Sequence, residues 1–181
     1  LERHIRNYPK DKDLVYAHYL IAICYFEQLY DERKDLKPLV KAREKFEYIL
    51  KKYPNTDYAI DAKWKMGLIV DQMAAKEMYI GRYYMKMEKW IAAINRFKFV
   101  VKYYDTTVYI EEALHRLVEI YYKIGLVEDA QKVAATLGYN YGSGEWYKNS
   151  YRIFNKSYKT AKITKKKKDS FIRKKFKKLF E

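Results

Sequence analysis

The chain has 181 residues, the size of one ordinary domain, and its composition, 49% apolar with 21 tyrosines, excludes disorder throughout. With only 6 Gly and 3 Pro it lacks the turns that a sandwich or barrel of short strands needs, and its single cysteine, Cys24, excludes a disulfide framework or cysteine-rich metal site. The net charge of +15 is concentrated in residues 156–181, where twelve Lys/Arg face only Asp169 and Glu181; the body before it carries 26 basic and 21 acidic groups, which removes most of the case for a nucleic-acid-binding body.

The opening Leu1-Glu2-Arg3-His4-Ile5-Arg6-Asn7-Tyr8-Pro9 reads as the last turns of a helix followed by a stop, so the chain is expected to be a fragment cut within a repeat, with any targeting signal outside it. Leu14 to Phe26 is the longest uncharged stretch, and its 13 residues fall short of the roughly 20 that cross a bilayer. Cys24 within it is read as a small core residue. A charged loop around Asp31–Asp35 leads to Pro38, which suits the first turn of a helix. In that helix Ala42 and Phe46 precede a Tyr53-Pro54 stop.

The stop reveals a repeat. Ile5–Pro9 returns as Leu50–Pro54 at an offset of 45, which pairs Ala17 with Ala62. Phe46–Tyr53 returns as Phe97–Tyr104 at an offset of 51, which pairs Tyr58 with Tyr109, Ala62 with Ala113 and Met66 with Leu117. A helix, a stop and a second helix, three times over, predict stacked helical hairpins. Both offsets exceed the tetratricopeptide period of about 34. The second excess lies between Asp57 and Lys86, which contains no Pro and no turn cluster, and one long helix shared by two repeats is predicted there.

Ile80-Gly81-Arg82-Tyr83-Tyr84 followed by Ala93 and Phe97 matches the tetratricopeptide pattern, with Asp105 where Pro is usual. Gly81 and the alanines let backbones approach, while Tyr84 and Phe97 fill the space between hairpins. Trp90, Ala93, Ile94, Phe97, Val101 and Tyr104 form one apolar stripe at helical spacing. Tyr121, Gly125, Ala130 and Leu137 fit the next copy, with Ala134 in place of Phe. The predicted fold is therefore an all-α tetratricopeptide-repeat solenoid of antiparallel hairpins. It occupies residues 1–155 in about three and a half repeats, packed through Gly81, Tyr84, Ala93, Phe97, Ala42, Phe46, Tyr121, Gly125 and Ala130.

Ile80–Tyr84, the block Trp90-Ile91-Ala92-Ala93-Ile94-Asn95-Arg96-Phe97, Tyr53–Ala59, and Leu137–Tyr141 followed by Glu145-Trp146-Tyr147 resemble the outer-membrane assembly lipoprotein family called BamD or ComL. The resemblance covers about residues 1 to 150. It implies a periplasmic protein of a Gram-negative bacterium, held at the outer membrane by a lipidated N-terminal cysteine that this fragment, like the first repeat, lacks. It further implies a scaffold of the β-barrel assembly machinery, whose partners are the periplasmic domain of the barrel-forming subunit, accessory lipoproteins and unfolded outer-membrane proteins. Glu88 stands where the family often has Gly, and Gly142 replaces a Pro after Asn140-Tyr141.

By that resemblance Arg96 pairs with an acidic residue of the barrel subunit, a task suited to a planar guanidinium fork; Asn95 either supports it or faces a neighbouring backbone. A Tyr139-Asn140-Tyr141 loop and Trp146-Tyr147 read as exposed anchors or as the cap that closes the end of the solenoid. His115 is placed on the surface, and Asp61, Glu111 and Glu112 are single surface acids. Nothing pairs an acid with a base or spells a phosphate loop or zinc spacing, so no enzyme, cofactor, metal or nucleic-acid partner is expected. The lysine tail, 156–181, has Ile172, Phe176, Leu179 and Phe180 at helical spacing, and reads either as an amphipathic basic helix or as a solvated extension. The rival function is a generic tetratricopeptide adaptor that binds a peptide partner. A third is an RNA- or membrane-binding protein driven by the tail.

Overall fold

The computed structural model describes residues 1–28 and 35–155. Residues 31–34 of the charged loop and the whole lysine tail lie outside the described residues. Eight helices follow one another among those described: α1 (Glu2–Asn7), α2 (Leu14–Phe26), α3 (Lys37–Lys52), α4 (Asp57–Lys86), α5 (Trp90–Tyr103), α6 (Ile110–Lys123), α7 (Val127–Tyr141) and α8 (Glu145–Phe154). Short connections fold α4/α5 and α6/α7 into hairpins, α2 packs against α3 as another, and α3 on α4, α5 on α6, and α8 on α6 and α7 stack them into an all-α solenoid of tetratricopeptide type.

Local chemistry sets the boundaries. Pro38 lies in the first turn of α3, where its missing N–H is no loss. At the stops, Tyr53 and Tyr104 leave their helices at the same φ of −133°, although only Tyr53 is followed by Pro. What the two stops share is a threonine. Thr56 Oγ1 donates to the Tyr53 carbonyl at 2.9 Å, and Thr107 Oγ1 donates to that of Tyr104 at 2.7 Å. Thr56 then caps α4 by accepting from the Ala59 N–H at 3.3 Å.

α4 is the single 30-residue helix predicted from the spacing, and at 1.5 Å per residue it is about 45 Å long. It carries two cores. Ala59, Ala62 and Ile69 of its first half pack with Ala22, Leu39, Ala42, Phe46 and Ile49 of α2 and α3. Met78 of its second half joins Ala93, Phe97 and Val100 of α5, Leu117, Val118 and Tyr121 of α6, and Ala130 of α7. Tyr84 packs half-buried against this second core. Gly81 is buried, and a Cβ there would stand 2.7 Å from Phe97 Cε1, so the glycine makes room for the phenylalanine ring.

Three expectations require correction. Gly125 takes no part in packing: it is exposed, has open space where its Cβ would be, and serves the α6–α7 turn at φ +86°. Cys24 is exposed because it lies two residues, about 200° of helix, beyond the buried Ala22. Residues 139–141 are no loop: α7 continues through Tyr141 and the turn follows at Gly142.

Glu88 does at the α4–α5 turn what Gly125 does at the next one. Its φ of +57° is the only positive φ of a non-glycine among the described residues. Its carboxylate faces Lys123 at 3.6 Å, but both side chains are exposed, so the pair contributes little. Glu88→Gly is expected to stabilise the fold by about 1 kcal/mol by relieving this left-handed backbone, read as a rise of roughly 3 °C in the thermal unfolding midpoint.

Candidate docking surfaces

α5 buries Ala93, Ile94, Phe97 and Val100 and turns the opposite face outward. On that face Ile91 (68% exposed), Asn95 and Phe99 (40% exposed) follow at i, i+4 and i+8, with Tyr103 beyond them. The Phe99 ring lies 4.6 Å from that of Tyr103 and 5.7 Å from that of Tyr104. Lys98 and Lys102 are exposed along the same helix. Arg96 sits at the edge of the row, and its Nη1 donates to Glu77 Oε2 of α4 at 3.1 Å. This is a single-pronged pair, which leaves the second face of the guanidinium fork for another carboxylate. Burial, and then the Glu77 charge, raise the Tyr104 hydroxyl above its ordinary pKa, against a smaller opposing effect of Arg43.

The remaining sequence-predicted contacts lie elsewhere: Tyr139, Asn140 and Tyr141 on α7, Trp146 on α8. Among the described residues no hydrogen bond, ion pair or ring contact joins Asn95 and Arg96 to these four. Tyr139 is 92% exposed, and Asn140 is exposed beside it. Tyr141 packs instead on Ile110, Leu114 and Leu137. Trp146 lies 5.2 Å from the His115 ring and 5.4 Å from the Arg116 guanidinium. Both therefore help close α6. His115 itself is buried, contrary to the surface position expected for it, because α8 covers it: its Nδ1 lies 2.7 Å from Ser150 Oγ.

A polar ladder between the first helices of successive hairpins escaped the sequence reading. Tyr19 of α2 donates to Asp61 of α4 at 2.6 Å. Burial, and then the Asp61 carboxylate that holds its proton, push the Tyr19 hydroxyl up to about 12. Arg82 of α4 grips Glu112 of α6 with two bonds of 3.0 Å. Arg116 reaches Glu112 at 3.3 Å and Glu119 at 2.7 Å. Burial opposes the Arg116 charge, but its bonds to Glu119 and Glu112 outweigh that and raise its pKa. Burial likewise works against the Glu119 carboxylate, and His115 and Arg116 reverse it, so Glu119 is held below the usual range. The signal was present in the repeat: the offset of 51 carries Asp61 onto Glu112 and Lys65 onto Arg116. Arg82, Met85, Trp90, Arg116, Lys123 and Ile153 enclose a cleft of about 590 Å³ beside this ladder, where Lys123 Nζ stands 4.4 Å from the centre of the Trp90 ring.

No cluster of His, Cys, Asp or Glu able to hold a metal ion occurs among the described residues, and no described helix is long and apolar enough to cross a membrane. The surfaces are of the kind that bind other proteins: exposed aromatics and aliphatic side chains edged by cations on rigid helices.

A family described as outer membrane lipoprotein, YfiO, matches residues 1–137. A Caulobacter vibrioides protein named outer membrane protein assembly factor BamD is 46% identical over 154 residues, which cover 85% of this chain and 50% of that protein. Proteins of the same name from Rickettsia prowazekii and Neisseria meningitidis are 42% and 33% identical, over 84% and 75% of this chain and 61% and 56% of their own lengths. The chain thus spans about half to three-fifths of the length of these curated relatives. With the repeat pattern, the long shared helix and the matched residues in agreement, the chain belongs to the BamD (YfiO) family of outer membrane lipoproteins.

Proposed function

We propose that this chain is the repeat scaffold, residues 1–155, of a non-enzymatic outer-membrane protein assembly factor at the periplasmic face of the outer membrane. It docks through α5 on a periplasmic domain of the barrel-forming subunit. The observation that carries the reading is the exposed row Ile91, Asn95, Phe99 edged by the half-committed Arg96. An apolar row supplies area, and a guanidinium with one prong still uncommitted supplies register and selectivity for an acidic partner. The names of the relatives support the assembly role. Accessory lipoproteins and unfolded outer-membrane proteins are the further partners of this reading. The mechanism is orientation of one protein against another, with no bond made or broken.

Calorimetry against the membrane-proximal periplasmic domain of the same organism's barrel-forming subunit tests it. Arg96→Glu is expected to weaken binding by more than about 1.4 kcal/mol, a factor of ten, at unchanged helicity. Glu77→Gln, which removes the internal competitor for the guanidinium, is expected to leave binding intact or tighten it. A well-folded wild type that does not bind, or an Arg96→Glu variant that binds equally well, would remove α5 as the docking face.

A further inference from the structure

The offsets of 45 and 51 place Tyr19, Trp64 and His115 at one repeat position. Val15, Ile60 and Glu111 lie one turn before it, and Ala22, Gly67 and Val118 one turn after. In α2 this face is closed by the next two helices. Tyr19 bonds to Asp61, its ring lies 5.1 Å from Tyr58 and 6.3 Å from Phe46, and Ala22 is fully buried. In α6 it is closed by α7 and α8: His115 lies under Ser150 and Trp146, and Val118 is fully buried in the core that includes Ala130.

In α4 the same face is open among the described residues. Ile60 and Trp64 are 71% and 63% exposed, and a Cβ built on Gly67 meets nothing within 4 Å. The cause is the length of α4. After Gly67 the chain does not turn back but stays helical to Lys86, so the helix that returns along it, α5, packs on the second half. Among the described residues it is the α5–α6 connection that reaches the side of Gly67, where Thr106 and Thr107 edge a shallow cleft of about 260 Å³, followed by Val108 at 78% exposure.

We infer that this face of α4 is the docking site of an amphipathic α-helix from a partner protein. The two equivalent faces of this molecule are both closed by helices, and the bare backbone at Gly67 allows a third to approach closely. Ile60 and Trp64, four residues apart, receive apolar side chains at i, i+3 or i+4 and i+7 of the incoming helix. Lys63, exposed beside Trp64, has no acidic partner within ion-pair reach among the described residues, so the helix carries an acidic side chain beside its apolar stripe. A second copy of this chain fits less well. The exposed apolar row it offers on α5 is accompanied by Lys98 and Lys102, which would meet Lys63 as like charges. This inference does not depend on the docking role of α5.

The test uses the full-length protein in native membranes, in a Cys24→Ser background. Ile60→Cys is expected to react with a maleimide in the isolated protein and to lose that labelling in the membrane assembly. A photoreactive phenylalanine analogue at Trp64 is expected to crosslink to one partner, with the adduct mapping to a helix that has an acidic flank. Lys63→Glu combined with Trp64→Glu should abolish protection of Ile60→Cys, whereas Arg96→Glu should leave it unchanged. Equal labelling in both states, an adduct with a second copy of this chain, or an adduct within an extended segment would overturn the inference.

Discussion

Phe97→Ala is expected to lower stability by about 3–5 kcal/mol, the cost of emptying a fully enclosed aromatic site. That is a large part of the roughly 5–15 kcal/mol available to a domain, and the shift of the urea midpoint reads it. The ring ties α5 to α4 and α6 in the second core, since it lies against Gly81 of α4 and shares its cluster with Leu117 and Tyr121 of α6. The pair with Gly81 provides a sharper test. Gly81→Ala alone places a Cβ 2.7 Å from Cε1 and 2.9 Å from Cζ of a ring that cannot move away. Overpacking of about 1–3 kcal/mol outweighs the gain of roughly 1 kcal/mol in helix propensity, and the variant is destabilised. In the Phe97→Ala background the same methyl enters empty space and stabilises. A double-mutant cycle should therefore show Gly81→Ala changing sign. An unchanged sign would mean that the glycine is kept for some reason other than the ring.

Gln72→Pro is expected to cost about 3 kcal/mol or more, although the Gln72 side chain is exposed and touches neither core. Position 72 lies between Ile69, the last fully buried residue of the first core on α4, and Met78, which opens the second. Proline there removes one rung of the helix and clashes with the carbonyl four residues earlier. The two cores are joined chiefly along α4, so the kink should uncouple them as well as weaken them. Trp64 lies on the first half of α4, Trp90 lies beside the second core, and Trp146 packs on His115 and Arg116 of α6. Variants retaining Trp64 or Trp90 as the only tryptophan are expected to unfold together in the parent and at separate urea midpoints with Gln72→Pro. Gln72→Ala, which keeps the helix intact, should leave them coincident.

The same helix shows why a gap in punctuation was informative. Helix ends are local events, set by Pro38, by the Tyr53 and Tyr104 stops and by Thr56, each of which acts within a few residues. An interval without such signals therefore had to continue as helix. The apolar stripes of α3 and α5 were legible for a similar reason, since the period of the helix places Ala42 and Phe46, or Ala93 and Phe97, on one face before any partner arrives.

The candidate sites were legible only in part. Arg96 stood out through the block around it, but nothing local indicated that Glu77 would hold it. Trp146 was read as an exposed anchor or as part of the cap; packed on His115 and Arg116, it is part of the cover of α6.

What the sequence by itself determined was the all-α class, the repeat register and the bounds of the long helix, because all three follow from interactions within one or two turns of the chain. What only the tertiary structure decided was which side of each helix is covered. Tyr19, Trp64 and His115 hold one repeat position, yet Tyr19 is partly and His115 fully covered while Trp64 stands in solvent. The difference lies in none of the three residues. It lies in the helices that close this face of α2 and α6 but, among the described residues, leave the Ile60–Gly67 face of α4 uncovered, and their arrival depends on how far the chain runs before it turns.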